Sequence, residues 1–185
     1  VTANGTPVTK PSQMLSGDAR IEASAAHPYV SRGGPKLAHG LDVFSVDPYG
    51  RLCLDIGAST GGFTDVLLRR GAQHVVAVDV GRDQCHPSLA RDARVTSLEA
   101  QDARALTSEM LGSAPSLLVC DASFISLEKL LEVPLSLAAP EAEFVGLFKP
   151  QFQVGRENIG KGSLVTDTNA ADQAAQTFAD WMKEK

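Results

Sequence analysis

Short apolar runs alternate with amphipathic segments along most of the chain. Apolar runs bounded by turn residues predict β-strands, and apolar residues spaced three and four positions apart predict helices. The strands are predicted at 51–56, 74–79, 94–98, 116–120 and 142–148, and the helices at 61–71, 86–91, 103–111, 126–138 and 167–182, after a helix that begins near Lys36. This alternation predicts an α/β domain with a doubly wound, mostly parallel sheet that helices cover on both faces.

The N-terminal segment does not follow this alternation. Asn4-Gly5 is a strong signal for a β-hairpin turn, and it lies between short β-prone pieces. A segment this short cannot hold a hydrophobic core of its own. We therefore divide the chain into an N-terminal segment at 1–25, a linker with the first helix at 26–50, and the main domain at 51–185.

The composition is that of an ordinary globular protein, since 43% of the 185 residues are apolar and 21% are charged. No apolar run is long enough to span a bilayer, and the N-terminus lacks the pattern of a signal peptide. We therefore expect a soluble, cytoplasmic protein without a membrane partner. The cysteines and histidines are scattered, with no C-x-x-C pair or Cys/His cluster, so we expect neither disulfides nor a metal site.

The net charge of −5 argues against a nucleic-acid partner, but the uneven distribution of charge along the chain weakens that argument. Residues 1–36 and 149–162 each carry an excess of Lys and Arg, so the remainder of the chain is strongly acidic. If the fold brings those two segments to one face, the local field there favours phosphate binding. The alternative is that these are ordinary solvated charges, and composition alone favours that alternative.

Acidic residues follow the predicted strands one after another. Asp55, Asp79, Asp102 and Asp121 stand at the ends of the first four strands, and Lys149 follows the fifth. Ligands of such sheets bind outside the carboxyl ends of the strands. One aspartate at such a position is explained equally well as a helix N-cap, whereas four on one rim favour a ligand site. We expect Asp79 to bind the two ribose hydroxyls of an adenosyl group and Asp102 to address the adenine edge.

A glycine-rich turn joins the first strand of the main domain to the helix that follows. The stretch from Leu52 to Phe63 reads L-C-L-D-I-G-A-S-T-G-G-F. Glycines at 57, 61 and 62 permit positive φ and let a ligand approach main-chain N–H groups at the positive end of the helix dipole. The spacing differs from the G-x-G-x-x-G of dinucleotide-binding proteins. It is similar to the strand-Asp-x-Gly turn of S-adenosylmethionine-dependent methyltransferases, and a purely structural turn is the alternative for this stretch taken alone.

Taken together, the motifs resemble one family, the TlyA or haemolysin-A-like ribosomal RNA 2′-O-methyltransferases, whose catalytic domain is similar to the FtsJ type. The matching pieces are S-R-G-G-P-K at 31–36, L-D-I-G-A-S-T-G-G-F-T-D at 54–65, V-D-V-G at 78–81, D-A-S-F-I-S-L at 121–127 and K-P-Q-F at 149–152. They run in the family's order across nearly the whole chain. The resemblance implies a Rossmann-like class I methyltransferase fold, preceded by a partial S4-like RNA-binding segment in residues 1–25.

The resemblance also implies a reaction, a cofactor and a partner. The reaction is transfer of a methyl group from S-adenosyl-L-methionine to the ribose 2′-hydroxyl of ribosomal RNA, at a cytidine, with the RNA or a ribosomal subunit as partner. Carried over by motif, the catalytic residues are Lys36, Asp121 and Lys149. The family's fourth catalytic residue, a glutamate, has no matching motif after Lys161, and we expect it beyond the C-terminus of this sequence together with the last strands of the domain.

Two further sets of residues complete the site that the resemblance implies. The cofactor-binding set is Asp55, Gly57, Ala58, Ser59, Gly61, Gly62, Phe63, Asp79, Val80, Asp102 and Ala103, and the RNA-binding set is Arg32, Phe152, Arg156 and Lys161. In the reaction we expect Lys149 to receive or relay the hydroxyl proton, Asp121 to orient it, and Lys36 to hold the ribose or phosphate. The alternative for Lys36 is an ordinary exposed residue in the first turn of a helix.

Three other functions remain as alternatives. A non-catalytic RNA-binding or ribosome-assembly factor agrees with the S4-like segment, but it leaves the four rim carboxylates and both lysines without a role. A membrane-active haemolysin, as the family's older name suggests, has no apolar span or strongly amphipathic basic helix in support. An NAD-dependent dehydrogenase would accept Asp79, but the glycine spacing and the Lys-Pro after the fifth strand argue against it.

Overall fold

The computed structural model describes residues 1–23, 26–155 and 158–185, without the side chain of Ser163. Within these residues the chain forms a small N-terminal sheet and a larger α/β unit. The strands are β1 (Thr2–Ala3), β2 (Thr6–Pro7), β3 (Ile21–Glu22), β4 (Leu52–Ile56), β5 (His74–Val78), β6 (Val95–Leu98), β7 (Leu117–Cys120) and β8 (Glu143–Gly146). The helices are α1 (Gly33–Phe44), α2 (Gly62–Arg69), α3 (Pro87–Ala90), α4 (Ser108–Leu111), α5 (Leu127–Ser136) and α6 (Thr168–Met182), with 3₁₀ turns at Ala103–Ala105, Pro150–Phe152 and Lys161–Ser163.

The N-terminal sheet contains the predicted hairpin. Its strand order is β2-β1-β3, and both pairings are antiparallel. Asn4 and Gly5 form the turn with φ of +50° and +78°, the two positive values that a tight hairpin turn needs. The hairpin is therefore confirmed, while the S4-like origin of this segment stays a prediction.

The larger sheet has five parallel strands in the order β6-β5-β4-β7-β8. The chain runs outward from β4 through β5 to β6, returns to β7 on the other side of β4, and continues to β8. The connections therefore leave β4 and β7 in opposite directions, which makes their carboxyl ends the topological switch point where ligands of such sheets bind. The predicted doubly wound α/β fold is confirmed.

The core has two layers, one on each face of the sheet, because successive strand residues point to opposite faces. In β4, Cys53 belongs to the layer that α1 and α2 cover, and Leu54 and Ile56 belong to the layer under α5. In β7 the same alternation puts Leu117 and Val119 in the first layer. Apolar residues at every position of β7, and at every position of β4 except Asp55, therefore follow from burial on both faces.

The predicted helix at 103–111 is wrong, because the structure has a 3₁₀ turn and the short α4 there. Leu106 and Thr107 between them are extended, with ψ of 148° and 162°. Leu106 and Leu111 are both buried. On a continuous helix two residues five positions apart would point about 140° away from each other, so the break lets both reach the same core layer.

The first and last helices agree with the sequence. α1 begins at Gly33, which puts Lys36 in its first turn, and its predicted i, i+4 pair Leu37 and Leu41 is 1% exposed at both positions. α6 begins after Asp167, whose carboxylate caps the backbone N–H groups of the first turn. Lys36 is thereby held on a helix that packs against the sheet.

Candidate active site

The glycine-rich turn lies between β4 and α2, at the switch point of the sheet. Gly57 and Gly61 have φ of +79° and +95°, which favour glycine at both positions. A Cβ at Gly57 would lie 2.9 Å from the Cα of Ala122, and one at Gly62 would clash with the hydroxyl of Ser31. Glycine is therefore required here both for backbone conformation and for close packing against the loops that follow β7 and precede α1.

Asp55 is not on the rim where the sequence placed it. It lies inside β4, is fully buried and lines neither of the two cavities described below. Its Oδ2 accepts hydrogen bonds from the backbone N and the hydroxyl of Thr64 at 2.9 and 2.7 Å, and its Oδ1 has no partner among the described residues. Burial raises the pKa of Asp55 to about 7, and the negative charges of Asp121 and Asp79 act in the same direction. Asp55 thus ties the start of α2 to the central strand from within the core.

The larger cavity, of about 500 Å³, lies at the carboxyl ends of the strands, and Asp79 is on its wall. The Asp79 carboxylate accepts hydrogen bonds from the backbone N of Ser59 at 2.8 Å and from that of Gly81 at 2.7 Å. These bonds fix the carboxylate between the glycine turn and the loop after β5. Each oxygen keeps a further acceptor position, so Asp79 can also accept hydrogen bonds from two neighbouring hydroxyl groups of a ligand.

Asp102 lines the same cavity together with Val80 and Ala103. Its carboxylate accepts from the backbone N of Arg104 at 2.9 Å and forms an ion pair with the guanidinium, with 2.6 Å between Nη2 and Oδ2. The hydrogen bonds from Arg104 hold the pKa of Asp102 below its usual value. Asp102 is therefore an oriented, ionised acceptor beside a cavity that also has apolar walls, from Val78 and other residues, which suit a flat ring.

Glu99 organises the loop after β5, although it was not among the residues predicted from the sequence. Its carboxylate accepts hydrogen bonds from the backbone N–H groups of Asp83, Gln84 and Cys85, each at 2.8 Å. These bonds lower the pKa of Glu99. Gln84 lines the larger cavity, so Glu99 shapes that cavity without lining it. Residue spacing carries no signal for this role, because the contacts are made to backbone groups.

A second cavity, of about 310 Å³, adjoins the first. The two share Gly57, Ser59, Asp121 and Ser123 in their walls. The second is lined in addition by Lys36, Lys149 and the residues Ser31 and Gly33 at the start of α1. The three residues predicted to be catalytic are therefore brought together around one cavity.

Among the described residues, the Lys149 amine has two hydrogen-bond acceptors and one ion-pair partner. Its Nζ lies 2.6 Å from Oδ1 of Asp121, 3.1 Å from the backbone O of the same residue, and 2.9 Å from Oγ of Ser123. The side chains of Lys149 and Asp121 are only 21% and 24% exposed. Lys36, in contrast, is exposed and has neither an ion pair nor a side-chain hydrogen bond within the described part of the chain.

Most of the predicted cofactor-binding residues line one of the two cavities. Asp55 and Gly61 are the two that do not. The larger cavity is lined by Gly57, Ser59, Asp79, Val80, Asp102 and Ala103, and the smaller by Gly57, Ala58, Ser59, Gly62 and Phe63. Ser123 and Ser31 were missed as individual residues, although both stand inside motifs that the resemblance uses.

Of the predicted RNA-binding residues that the structure describes, none lines either cavity. Arg32 is exposed at the N-cap of α1, and Lys161 is exposed in a 3₁₀ turn. Phe152 packs against the exposed ring of Phe124, with 5.0 Å between the ring centroids. Arg156 lies outside the described residues.

Two further observations concern residues 1–23, 26–155 and 158–185. No helix in these ranges combines the length and the apolar character needed to cross a membrane. In the same ranges, no three His, Cys, Asp or Glu side chains form a group that could hold a metal ion.

Comparison with known proteins gives consistent matches. The model of the FtsJ-like methyltransferase family matches residues 29–185. The 16S/23S rRNA (cytidine-2′-O)-methyltransferase TlyA of Mycobacterium tuberculosis is 46% identical over 169 residues, which are 90% of this chain and 63% of that protein. Hemolysin A of Brachyspira hyodysenteriae is 39% identical over 168 residues, 90% of this chain and 70% of that one.

A solved structure gives the same result. The structure of a candidate hemolysin from Streptococcus thermophilus is 38% identical, with a TM-score of 0.80, and the match covers 88% of this chain and 58% of that one. This match confirms the predicted fold class. The chain thus spans 63% of the length of the Mycobacterium tuberculosis relative and 58% of the Streptococcus thermophilus protein.

Proposed function

Because the chain belongs to the FtsJ-like methyltransferase family, we propose that it transfers a methyl group from S-adenosylmethionine to a ribose 2′-hydroxyl of ribosomal RNA. The substrate nucleotide in this proposal is a cytidine, as the name of the Mycobacterium tuberculosis relative states for that protein. The partner is ribosomal RNA or a ribosomal subunit, and the protein works in the cytoplasm.

One observation carries the proposal, namely that two cavities of different chemistry meet at Asp121. The larger fits the nucleoside part of S-adenosylmethionine, with Asp79 for the ribose hydroxyls and Asp102 with Ala103 for the adenine edge. The backbone N–H groups of the glycine turn at 57–62 suit its carboxylate. The smaller cavity, with its two lysines, suits the ribose and phosphate of an RNA nucleotide.

When bound, S-adenosylmethionine supplies an electrophilic methyl group on a positively charged sulfur. A ribose hydroxyl is a weak nucleophile until its proton is removed or strongly polarised, so positioning and a base supply the catalysis. Lys149 accepts the 2′-hydroxyl proton as that oxygen forms its bond to the methyl carbon and the bond from the carbon to sulfur breaks. Asp121 holds the Lys149 amine through the 2.6 Å contact. Lys36 binds the ribose or a neighbouring phosphate.

Calorimetry with S-adenosylmethionine tests the cofactor half of the proposal. We expect the chain to bind S-adenosylmethionine and the Asp79→Ala variant to lose at least tenfold in affinity. The variant loses the acceptors for the ribose hydroxyls together with the two hydrogen bonds from the backbone of Ser59 and Gly81. Asp172→Ala changes an exposed residue of α6 and serves as the matched control. Binding that Asp79→Ala leaves intact would contradict the assignment of the larger cavity.

Methyl transfer to ribosomal subunits tests the other half. Subunits from cells that lack this modification are incubated with the protein and S-adenosylmethionine that carries a radiolabelled methyl group. Their RNA is then digested to nucleosides, and we expect the label in 2′-O-methylcytidine. Label in a methylated base would contradict ribose methylation, and cofactor binding without any transfer to either subunit would contradict ribosomal RNA as the substrate.

A further inference from the structure

The three partners of the Lys149 amine are not chemically equivalent. The carboxylate oxygen and the backbone oxygen of Asp121 only accept hydrogen bonds, whereas the hydroxyl of Ser123 both accepts and donates. A lysine ammonium has three N–H groups and no lone pair, so it can donate to the Asp121 backbone oxygen and the Ser123 hydroxyl while its charge pairs with the Asp121 carboxylate. All three contacts therefore favour the protonated form of Lys149.

The neutral amine fits the same contacts in only one way. A base must be neutral before it can take a proton, and a neutral amine has two N–H groups and one lone pair. Toward either oxygen of Asp121, the lone pair would face another lone pair, which is repulsive. Toward Ser123 it accepts a hydrogen bond from the hydroxyl. Of the three partners, Ser123 is therefore the one that can form a hydrogen bond with Lys149 in both of its protonation states.

Ser123 also lies where the reaction would take place. Ser123 lines both cavities, so it stands at the junction between the larger cavity and the smaller one. Ser123 is exposed, whereas Lys149 and Asp121 are largely covered. A substrate hydroxyl that enters the smaller cavity can therefore reach the Lys149 amine from the side of Ser123.

We propose that Ser123 is a positioning residue for methyl transfer. Its hydroxyl holds the Lys149 amine and directs the lone pair of the neutral form toward the junction of the two cavities. The incoming 2′-hydroxyl takes over that hydrogen bond, and its proton passes to Nζ while its oxygen bonds to the methyl carbon and the bond from that carbon to sulfur breaks. Ser123 keeps its own proton throughout. This inference rests on the proposed function, since it assigns a role within that reaction.

The pH dependence of methyl transfer tests the inference. In Ser123→Ala the ammonium loses one of its two hydrogen-bond acceptors, and hydrogen bonds to a charged group are stronger than those to a neutral one. We expect the acid limb of the kcat/KM profile to move to lower pH by about half a unit or more, with a plateau about tenfold lower. A purely structural role would lower the plateau without moving the limb.

Two variants keep the result interpretable. Ser123→Thr retains the hydroxyl, so we expect it to restore both the plateau and the position of the acid limb. Ser126→Ala removes a hydroxyl from the same loop that caps no backbone group of α5, and we expect the wild-type profile. An unshifted limb in Ser123→Ala, or a Ser123→Thr variant that behaves like Ser123→Ala, would overturn the inference.

A second measurement separates this inference from the proposed function. The rate at which acetic anhydride acetylates Lys149 is followed against pH by peptide mass spectrometry, which needs no RNA and no cofactor. We expect the acetylation profile of Ser123→Ala to move to lower pH, and that of Ser123→Thr to match the wild type. Wild-type protein that transfers no methyl group would refute the proposed function, whereas an unchanged acetylation profile in Ser123→Ala would refute the role of Ser123.

Discussion

The two cavities that meet at Asp121 are built differently. Asp79 lines the larger one and Glu99 lies behind its wall. Backbone N–H groups of the chain itself hold both carboxylates. In the smaller one, the exposed Lys36 has no acidic partner among the described residues, and Lys149 is held through a single loop. Carboxylates that backbone donors satisfy are oriented before a ligand binds, whereas an unpaired cation favours an anionic ligand.

The chain therefore completes one half of the site by itself and leaves the other half for a substrate to complete. Changes in the larger cavity should therefore alter cofactor binding. Changes at the two lysines of the smaller cavity should alter methyl transfer and leave cofactor binding nearly intact. Two substitutions test that division and a third tests the buried support of the glycine turn, in order of decreasing effect.

Lys149→Ala should have the largest effect. It removes the proposed base, and we expect kcat to fall by about 10²- to 10⁴-fold, with cofactor affinity close to that of the wild type. Single-turnover transfer of a radiolabelled methyl group measures the first quantity, and calorimetry the second. Lys129→Ala, an exposed lysine of α5, is the matched control. Loss of cofactor binding in Lys149→Ala would show that the two halves of the site are not independent.

The sequence predicts one half of the site better than the other, for a physical reason. The positions of Asp79, Asp121 and Lys149 follow from periodicity, because the carboxyl ends of parallel strands converge at one edge of the sheet. Glu99 and Ser123 were not predicted, because their roles depend on contacts with backbone groups or with a lysine far away in the sequence. Such contacts leave no pattern in the spacing of residues.

The sequence also does not predict whether a side chain near the end of a strand is on the rim of the sheet or buried in the core. Asp55 was expected on the rim, but β4 extends one residue past it and buries it completely. Apolar periodicity places the ends of strands only to within a few residues, and one residue decides whether a side chain is on the rim or in the core. The break in the predicted helix at 103–111 has a similar origin, because burial of Leu106 and Leu111 in one layer overrides helix propensity.

Asp55→Asn tests the buried support of the larger cavity, and its effect should be on stability. The fold raises the pKa of Asp55 from its ordinary value of 3.8 to about 7, so the folded protein favours the protonated acid. The stability that this group contributes is therefore fully present below about pH 4 and is lost as the pH rises toward 7. An asparagine has no charge to lose, so the variant should keep that stability over the same range.

Urea unfolding at several pH values between about 4 and 8 measures this difference. We expect the free energy of unfolding of the wild type to fall, relative to that of Asp55→Asn, by a few kcal/mol across this range. Asp172→Asn, at an exposed position, should follow the wild type. If the wild type and Asp55→Asn had parallel curves, Asp55 would not be the buried acid that the structure indicates, and the glycine turn would have to be stabilised in another way.

Glu99→Gln should have the smallest effect and is the sharpest test of the division. A glutamine carbonyl oxygen has two acceptor positions, so it cannot satisfy all three backbone N–H groups that Glu99 binds. Loss of one such hydrogen bond costs about 1 kcal/mol, so we expect cofactor affinity to fall by roughly three- to tenfold. Glu132→Gln, at an exposed position of α5, is the matched control.

With saturating cofactor the Glu99→Gln variant should reach the wild-type kcat, because the loop that Glu99 holds lines only the larger cavity. A lower kcat at saturation would mean that the loop after β5 also positions the reacting groups, and the two cavities would then act as one unit.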